Sequence, residues 1–333
     1  MEQSQEHLLS LFKTGKFPGE HGVPKHIETF ISNVFLFEER VYKLYKNNNQ
    51  SFNESFRDIS GKEKRFDFTT RDFAWNNAST PSIYTDLLGV RSSNEVIEIV
   101  APDGNAEELV IKMNRVDLSD VLFEKLIQNK ITKEDSYAIG KGLGESLAKV
   151  RKPLPEKLNY FEMFEERIVD AKAWMKVVEH IIPPQEIDAY CDYLLKFRNA
   201  NKELFENQQS QELEYGGDIH SHNALYSDGK FFLMDTFSPK DDWLIEYHGT
   251  PAYRIATDIW SLSGKKELFD ACIEGYEAAS SMKVNRGLDN LYVIYSLTIS
   301  APYHYMLEQN DVSKKEAAER IHTFMREHFA SLA

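Results

Sequence analysis

The stretch Gly216-Gly217-Asp218-Ile219-His220-Ser221-His222-Asn223-Ala224-Leu225-Tyr226-Ser227-Asp228-Gly229-Lys230-Phe231-Phe232-Leu233-Met234-Asp235-Thr236-Phe237 gathers two carboxylates, an imidazole and an amide in one short loop-and-hairpin segment. Asp218, His220 and Asn223 sit in a loop, and Asp235 ends the apolar run Phe231 to Met234, where its carboxylate emerges at a strand tip. The Asp228-Gly229 pair between apolar runs predicts a tight hairpin. An Asp-x-His triplet alone is an ordinary turn, its carboxylate capping local N–H groups. The whole pattern asks for more than a turn. Phosphoryl transfer from a nucleotide needs one carboxylate to take or orient the acceptor hydroxyl proton, and oxygen ligands to hold Mg²⁺ against the phosphates.

The interval of five from Asp218 to Asn223 is that of a kinase catalytic loop, and Asp235 lies where the second metal-binding residue falls. Here the chain resembles the aminoglycoside phosphotransferase-like (choline kinase-type) small-molecule kinases. Their pattern is His-Gly-Asp-x-His-x-x-Asn, with an Asp after a following strand. Gly217 to Asn223 matches it, with Gly216 in place of the leading His. The resemblance implies Asp218 as catalytic base, Asn223 and Asp235 as Mg²⁺ ligands, and His220 as a loop-holding residue. Asp235-Thr236-Phe237 lacks the glycine of the protein-kinase triplet, which favours small-molecule acceptors.

Upstream, residues 27–37 are rich in β-branched and aromatic residues and read as a strand, followed by a turn at 38–40 and a second strand over 41–46. Lys43 is either an exposed edge-strand charge or the strand lysine that pairs the α- and β-phosphates; the preceding hairpin favours the second, with Lys46 as runner-up. A phosphate-covering turn is expected within Thr29 to Asn33, which makes Ser32 a nucleotide-binding candidate. Residues 63–79 read as a helix. Asp72 and Asn76, followed by Pro81 and Tyr84, resemble a bacterial subgroup whose helix carries Glu, then Asn four residues on, then Ala-Pro-x-x-Tyr. Asp72 is thus the candidate partner of Lys43, a solvated helix Asp being the alternative. Strands are expected over 95–100 and 108–113, then a hinge at 114–117 whose backbone meets the base. Met113 belongs to that pocket or to ordinary core.

The rest of the chain reads as helical: 118–128, 132–150 with a Thr132/Asp135 cap, a stripe from Phe161 to Ile181 stopped by Pro183-Pro184, 187–207, 254–280, 287–308 and 313–331. The run Asp241 to His248 is a candidate acceptor-pocket lining or a solvent-facing turn. Arg254 to Asp258 resembles the family's Arg-x-x-x-Asp stretch, whose Asp braces the catalytic loop.

With 333 residues, 42% hydrophobic and 28% charged, the chain suits two lobes of a soluble globular protein. A net charge of −14 argues against nucleic acid, whose phosphates call for Lys/Arg patches. Two cysteines, Cys191 and Cys272, form neither a disulfide framework nor a zinc spacing. No apolar run suits a bilayer span, so no membrane partner and a cytoplasmic location are expected.

The expected fold is α+β and two-lobed, protein-kinase-like, with a small β-rich lobe over 1–116 and a larger helical lobe over 117–333. The expected activity is Mg²⁺-dependent transfer of the γ-phosphoryl of ATP or GTP to the hydroxyl of an amino sugar, sugar or amino alcohol. A nucleotide-binding pseudokinase or regulatory protein and an atypical protein kinase are the alternatives.

Overall fold

The structure, a computed structural model, describes residues 3–55, 57–93, 95–150, 159–206, 214–215, 218–236, 245–246, 249–280, 283–308 and 314–332. The chain divides into two compact units, Met1–Asp117 with Met234–Ser238, and Leu118–Leu233 with Pro239–Ala333.

The first unit holds α1 (Gln3–Lys13), β1 (Lys25–Glu28), β2 (Ser32–Leu36), β3 (Arg40–Tyr45), α2 (Gln50–Ser55), α3 (Lys62–Ser79), β4 (Tyr84–Ser93), β5 (Val96–Val100) and β6 (Glu108–Asn114). Its six strands form one antiparallel sheet in the order β1-β2-β3-β6-β4-β5. Residues 27–37, expected as one strand, are a hairpin. Thr29 N donates to Ser32 O at 2.8 Å and Ser32 N to the Thr29 hydroxyl at 3.0 Å, a side-chain closure that overrides β propensity. Strand β4 was not expected, because Asp86 and Gly89 interrupt its apolar run.

Strand β3 is interior and buried on both faces, so Lys43 is no edge-strand charge. Tyr42 and Leu44 join Leu8, Phe12, Phe35 and Val110 in a core beneath α1. On the other face the Tyr45 ring meets Phe68 of α3 edge-on at 4.8 Å. The buried stripe of α3 runs Arg65, Phe68, Thr69, Asp72, Trp75, Asn76, Ser79, at helical spacing but mostly polar. Each buried polar group must therefore find a partner. Arg65 finds Glu108 of β6, in a bidentate pair with both side chains buried.

The second unit holds α4 (Leu122–Ile127), α5 (Lys133–Val150), α6 (Tyr160–Met175), α7 (Pro184–Ala200), α8 (Lys202–Glu206), β7 (Glu214–Tyr215), β8 (Ala224–Ser227), β9 (Lys230–Leu233), β10 (Ile245–Glu246), α9 (Thr250–Ser263), α10 (Lys266–Ser280), α11 (Asp289–Glu308) and α12 (Lys315–Ala330). The cap expected at Thr132 forms reciprocally: Asp135 N donates to the Thr132 hydroxyl at 3.1 Å, and Thr132 N to the Asp135 carboxylate at 3.0 Å. The β8–β9 hairpin turns on Asp228 (φ 50°) and Gly229 (φ 73°), the paired left-handed residues of a type I′ turn. The helix expected over 254–280 is two, because Gly264 (φ 73°) closes α9 with a bond from its N–H to Trp260 O at 2.7 Å. Among the described residues no helix is long and apolar enough to cross a membrane.

Candidate active site

The first unit brings three of the expected residues together. Lys43, its side chain only 4% exposed, hydrogen-bonds through Nζ to Oδ1 of Asp235, whose side chain is 51% exposed. Asp72 was expected to pair with Lys43. Its Oδ2 accepts the Tyr45 hydroxyl at 2.6 Å, its Oδ1 accepts from Asn76 at 3.2 Å, and the Lys43 charge acts on the same carboxyl. Burial drives the Asp72 carboxyl up to about 6, against the opposing pull of the Lys43 charge and the Tyr45 hydrogen bond. Burial likewise holds the Tyr45 and Tyr84 phenols protonated, well above the ordinary tyrosine value.

The turn expected to cover phosphates lies between β1 and β2. Ser32 is 1% exposed, and its hydroxyl meets that of Thr29 at 2.8 Å. Lys46, the alternative to Lys43, serves this turn: its ammonium bonds Thr29 O at 2.6 Å and pairs with Glu28 at 2.9 Å. Asn49 Nδ2 reaches Phe30 O. Met113 lies near the end of β6, partly buried, in register with Val41 and Tyr84 of the flanking strands.

The second unit carries the loop with Asp218 and Asn223. Asp218 has left-handed backbone (φ 60°), a conformation Asp tolerates better than most residues. The Asn223 Nδ2 donates to Asp218 O at 3.0 Å and to its carboxylate at 3.3 Å. His220 Nε2 lies 3.6 Å from the other carboxylate oxygen. The His220 ring also accepts the N–H of His222 at 3.2 Å, capping the short turn Ser221–Asn223. Crowding raises the Asp218 carboxyl, but His220, the Arg254 charge and Asn223 outweigh it and hold it below the usual range. Asp218 is therefore a carboxylate at neutral pH, with 47% of its side chain open to solvent.

Asp258 on α9 accepts the Ser221 N–H at 3.0 Å and the Ser300 hydroxyl at 3.0 Å, and so braces this loop. His222 stacks on Phe123 at 3.8 Å beside His304. Burial drives both imidazoles neutral, His304 to about 4. Tyr45 in the first unit, and Phe123, Ser300 and His304 in the second, carried no sequence signal, because each meets its partners by folding and not by chain proximity. Gly216, Gly217, Phe237, Asp241 to Leu244, Tyr247 and His248 lie outside the described residues.

No family model matches the chain, and no curated protein sequence matches it significantly. Solved structures do match in fold. Choline kinase from Cryptosporidium parvum Iowa II superposes with a TM-score of 0.53 at 11% identity, over 98% of this chain and 96% of that one. A choline/ethanolamine kinase family protein from Mesorhizobium loti gives 0.50 at 14% identity, over 96% and 93%. The AMP-bound complex of spectinomycin phosphotransferase APH(9)-Ia gives 0.50 at 11%, over 98% of both chains. The chain has the two-lobe α+β fold that these small-molecule kinases share.

Proposed function

We propose that this protein is a phosphotransferase that moves the γ-phosphoryl group of ATP or GTP to a hydroxyl of a small molecule, an amino sugar, sugar or amino alcohol, with Mg²⁺. The observation that carries the reading is the Asp218 carboxylate, kept ionised, half-open to solvent and hydrogen-bonded to the Asn223 that the motif requires. The fold shared with choline kinase and spectinomycin phosphotransferase supports it.

In this reading the acceptor hydroxyl donates to Asp218. As the acceptor oxygen bonds to the γ-phosphorus, the bond from that phosphorus to the β-bridging oxygen breaks. The hydroxyl proton passes to Asp218 and the nucleoside diphosphate leaves. Lys43 serves the α- and β-phosphates, Asp72 sits behind it, the Thr29–Ser32 turn covers them, and Met113 with the backbone of 114–117 receives the base.

Asn223 and Asp235 would hold the metal. Carboxylate and amide oxygens are the hard donors Mg²⁺ takes. Asp235 is half-exposed, and Asn223 turns its amide nitrogen to Asp218, so that its oxygen is the other end of the group. A bound divalent cation neutralises charge developing on the β- and γ-phosphate oxygens.

The test is Mg²⁺-dependent consumption of ATP and GTP against a library of amino sugars, sugars and amino alcohols. Asp218→Asn is expected to lower turnover roughly 10²- to 10⁴-fold, the scale of a lost general base, with nucleotide affinity kept. Asp235→Ala is expected to weaken binding of the Mg²⁺–nucleotide. Full activity in both variants overturns the assignment of roles, and phosphate appearing on protein but on no small molecule overturns the acceptor class.

A further inference from the structure

The backbone of Asp235 is in the left-handed region (φ 53°), a conformation that side chains with a Cβ rarely adopt and Asp adopts more readily than most, and here its surroundings hold it in place. The enforcing groups are side chains of α3 and β4. The Tyr84 hydroxyl accepts the N–H of Asp235 at 2.6 Å. The Asn76 amide pairs with the next residue as a neighbouring strand would: Oδ1 accepts the Thr236 N–H at 3.2 Å, and Nδ2 donates to Thr236 O at 2.8 Å. The Thr236 hydroxyl lies 3.2 Å from the same Oδ1 and receives the Trp75 indole N–H at 3.1 Å.

Asn76, Tyr84 and Thr236 are each at most 2% exposed. A water molecule therefore does not readily replace any of these bonds, and a lost partner leaves a buried polar group unmet. Three successive peptide groups are thus each gripped at one backbone atom, on both sides of the Cα that bears the Asp235 carboxylate. Ordinary packing of α3 on the sheet does not require this; Phe68 and the Arg65–Glu108 pair already fasten the helix.

We infer that Asn76 and Tyr84 are positioning residues for metal binding, forming with Trp75 and Thr236 a side-chain clamp that aims the Asp235 carboxylate at the Mg²⁺ of a bound nucleotide. The inference rests on the function proposed above. It assigns to α3 a task separate from any service to Lys43: the helix sets the backbone of the metal-binding residue.

The experiment measures ADP binding by calorimetry in EDTA and across a Mg²⁺ titration, with thermal melting of the free protein alongside. In Tyr84→Phe and Asn76→Leu the apparent affinity for Mg²⁺ is expected to fall about 10- to 100-fold, the range for residues that orient a metal ligand, while ADP affinity in EDTA stays within about twofold of the unaltered protein. Thr236→Ser keeps the hydroxyl and is expected to retain the Mg²⁺ response; Thr236→Val removes it and is expected to lose part. If Asn76→Leu fails to fold, Tyr84→Phe, which removes one oxygen, carries the test. Folded variants that melt lower but respond to Mg²⁺ as the unaltered protein does overturn the inference, since the bonds are then merely structural. An unaltered protein whose ADP binding ignores Mg²⁺ overturns the proposed function, and this assignment with it.

Discussion

Asp258 Oδ2 accepts the backbone N–H of Ser221 at 3.0 Å, tying helix α9 to the loop that carries Asp218. The other oxygen of the same buried carboxylate takes the Ser300 hydroxyl, so one side chain satisfies two donors. Asp258→Ala leaves the Ser221 N–H buried without its acceptor, at a cost of about 1–3 kcal/mol. Asp258→Asn keeps an oxygen for Ser221, and the Ser300 hydroxyl can rotate to accept from the new amide, so a loss below about 1 kcal/mol is expected. Urea unfolding of the two variants checks this. Equal losses would show that the charge matters and the hydrogen-bond geometry does not.

Asp72 makes stability depend on pH in an unusual direction for a carboxylate. Its pKa is raised from 3.8 to about 6 in the folded protein, so the native state holds a proton that the unfolded chain releases. The stability this group contributes is present in full below about pH 4 and is lost as pH rises through about 6, a change on the order of 3 kcal/mol. Asp72→Asn, neutral throughout, should therefore gain stability relative to the unaltered protein between pH 4.5 and pH 8. Denaturant melts of both proteins at the two pH values test this. A stability difference that does not move with pH would mean Asp72 is ionised throughout.

Helices α5 and α10 approach through glycine. A Cβ added at Gly275 would stand 2.0 Å from Tyr137 O, and one at Gly140 would stand 1.9 Å from Cys272 O. Both obstacles are helix backbone, so the two helices would have to part. Gly275→Ala is expected to destabilise the protein by about 1–3 kcal/mol or more despite the better helix propensity of alanine. Gly104→Ala, where nothing lies within 4 Å, should stay within about 0.5 kcal/mol. Thermal melting of the pair decides it; a neutral Gly275→Ala would mean that the helix contact yields easily.

The parts of the site legible in the chain were those in which geometry is local. The Asp228-Gly229 turn and the Thr132 cap each lie within a few residues and formed where expected, and the interval from Asp218 to Asn223 is short enough for the Asn223 amide to bond Asp218. Helix α3 spans Lys62–Ser79, one residue longer than anticipated. Its importance was harder to see, because the buried stripe is polar and the apolar period that marks a packed face is absent. The partners of that stripe lie on other elements: Glu108 on β6, Tyr45 on β3, and Thr236 beyond β9. The strand expected over 27–37 is split at the turn anticipated within Thr29 to Asn33, because Thr29 and Ser32 bond one another across it.

Residue spacing was enough to nominate Asp218, Asn223 and Asp235 as the chemical groups and to forecast a β-rich part before a helical one, since interval and periodicity are properties of neighbours along the chain. The partner each buried polar group takes was a matter for folding. Lys43 went to Asp235, and Asp72 to Tyr45 and Asn76. Those choices depend on distances across the sheet and on water being excluded, and both come into being when the strands and α3 close upon one another.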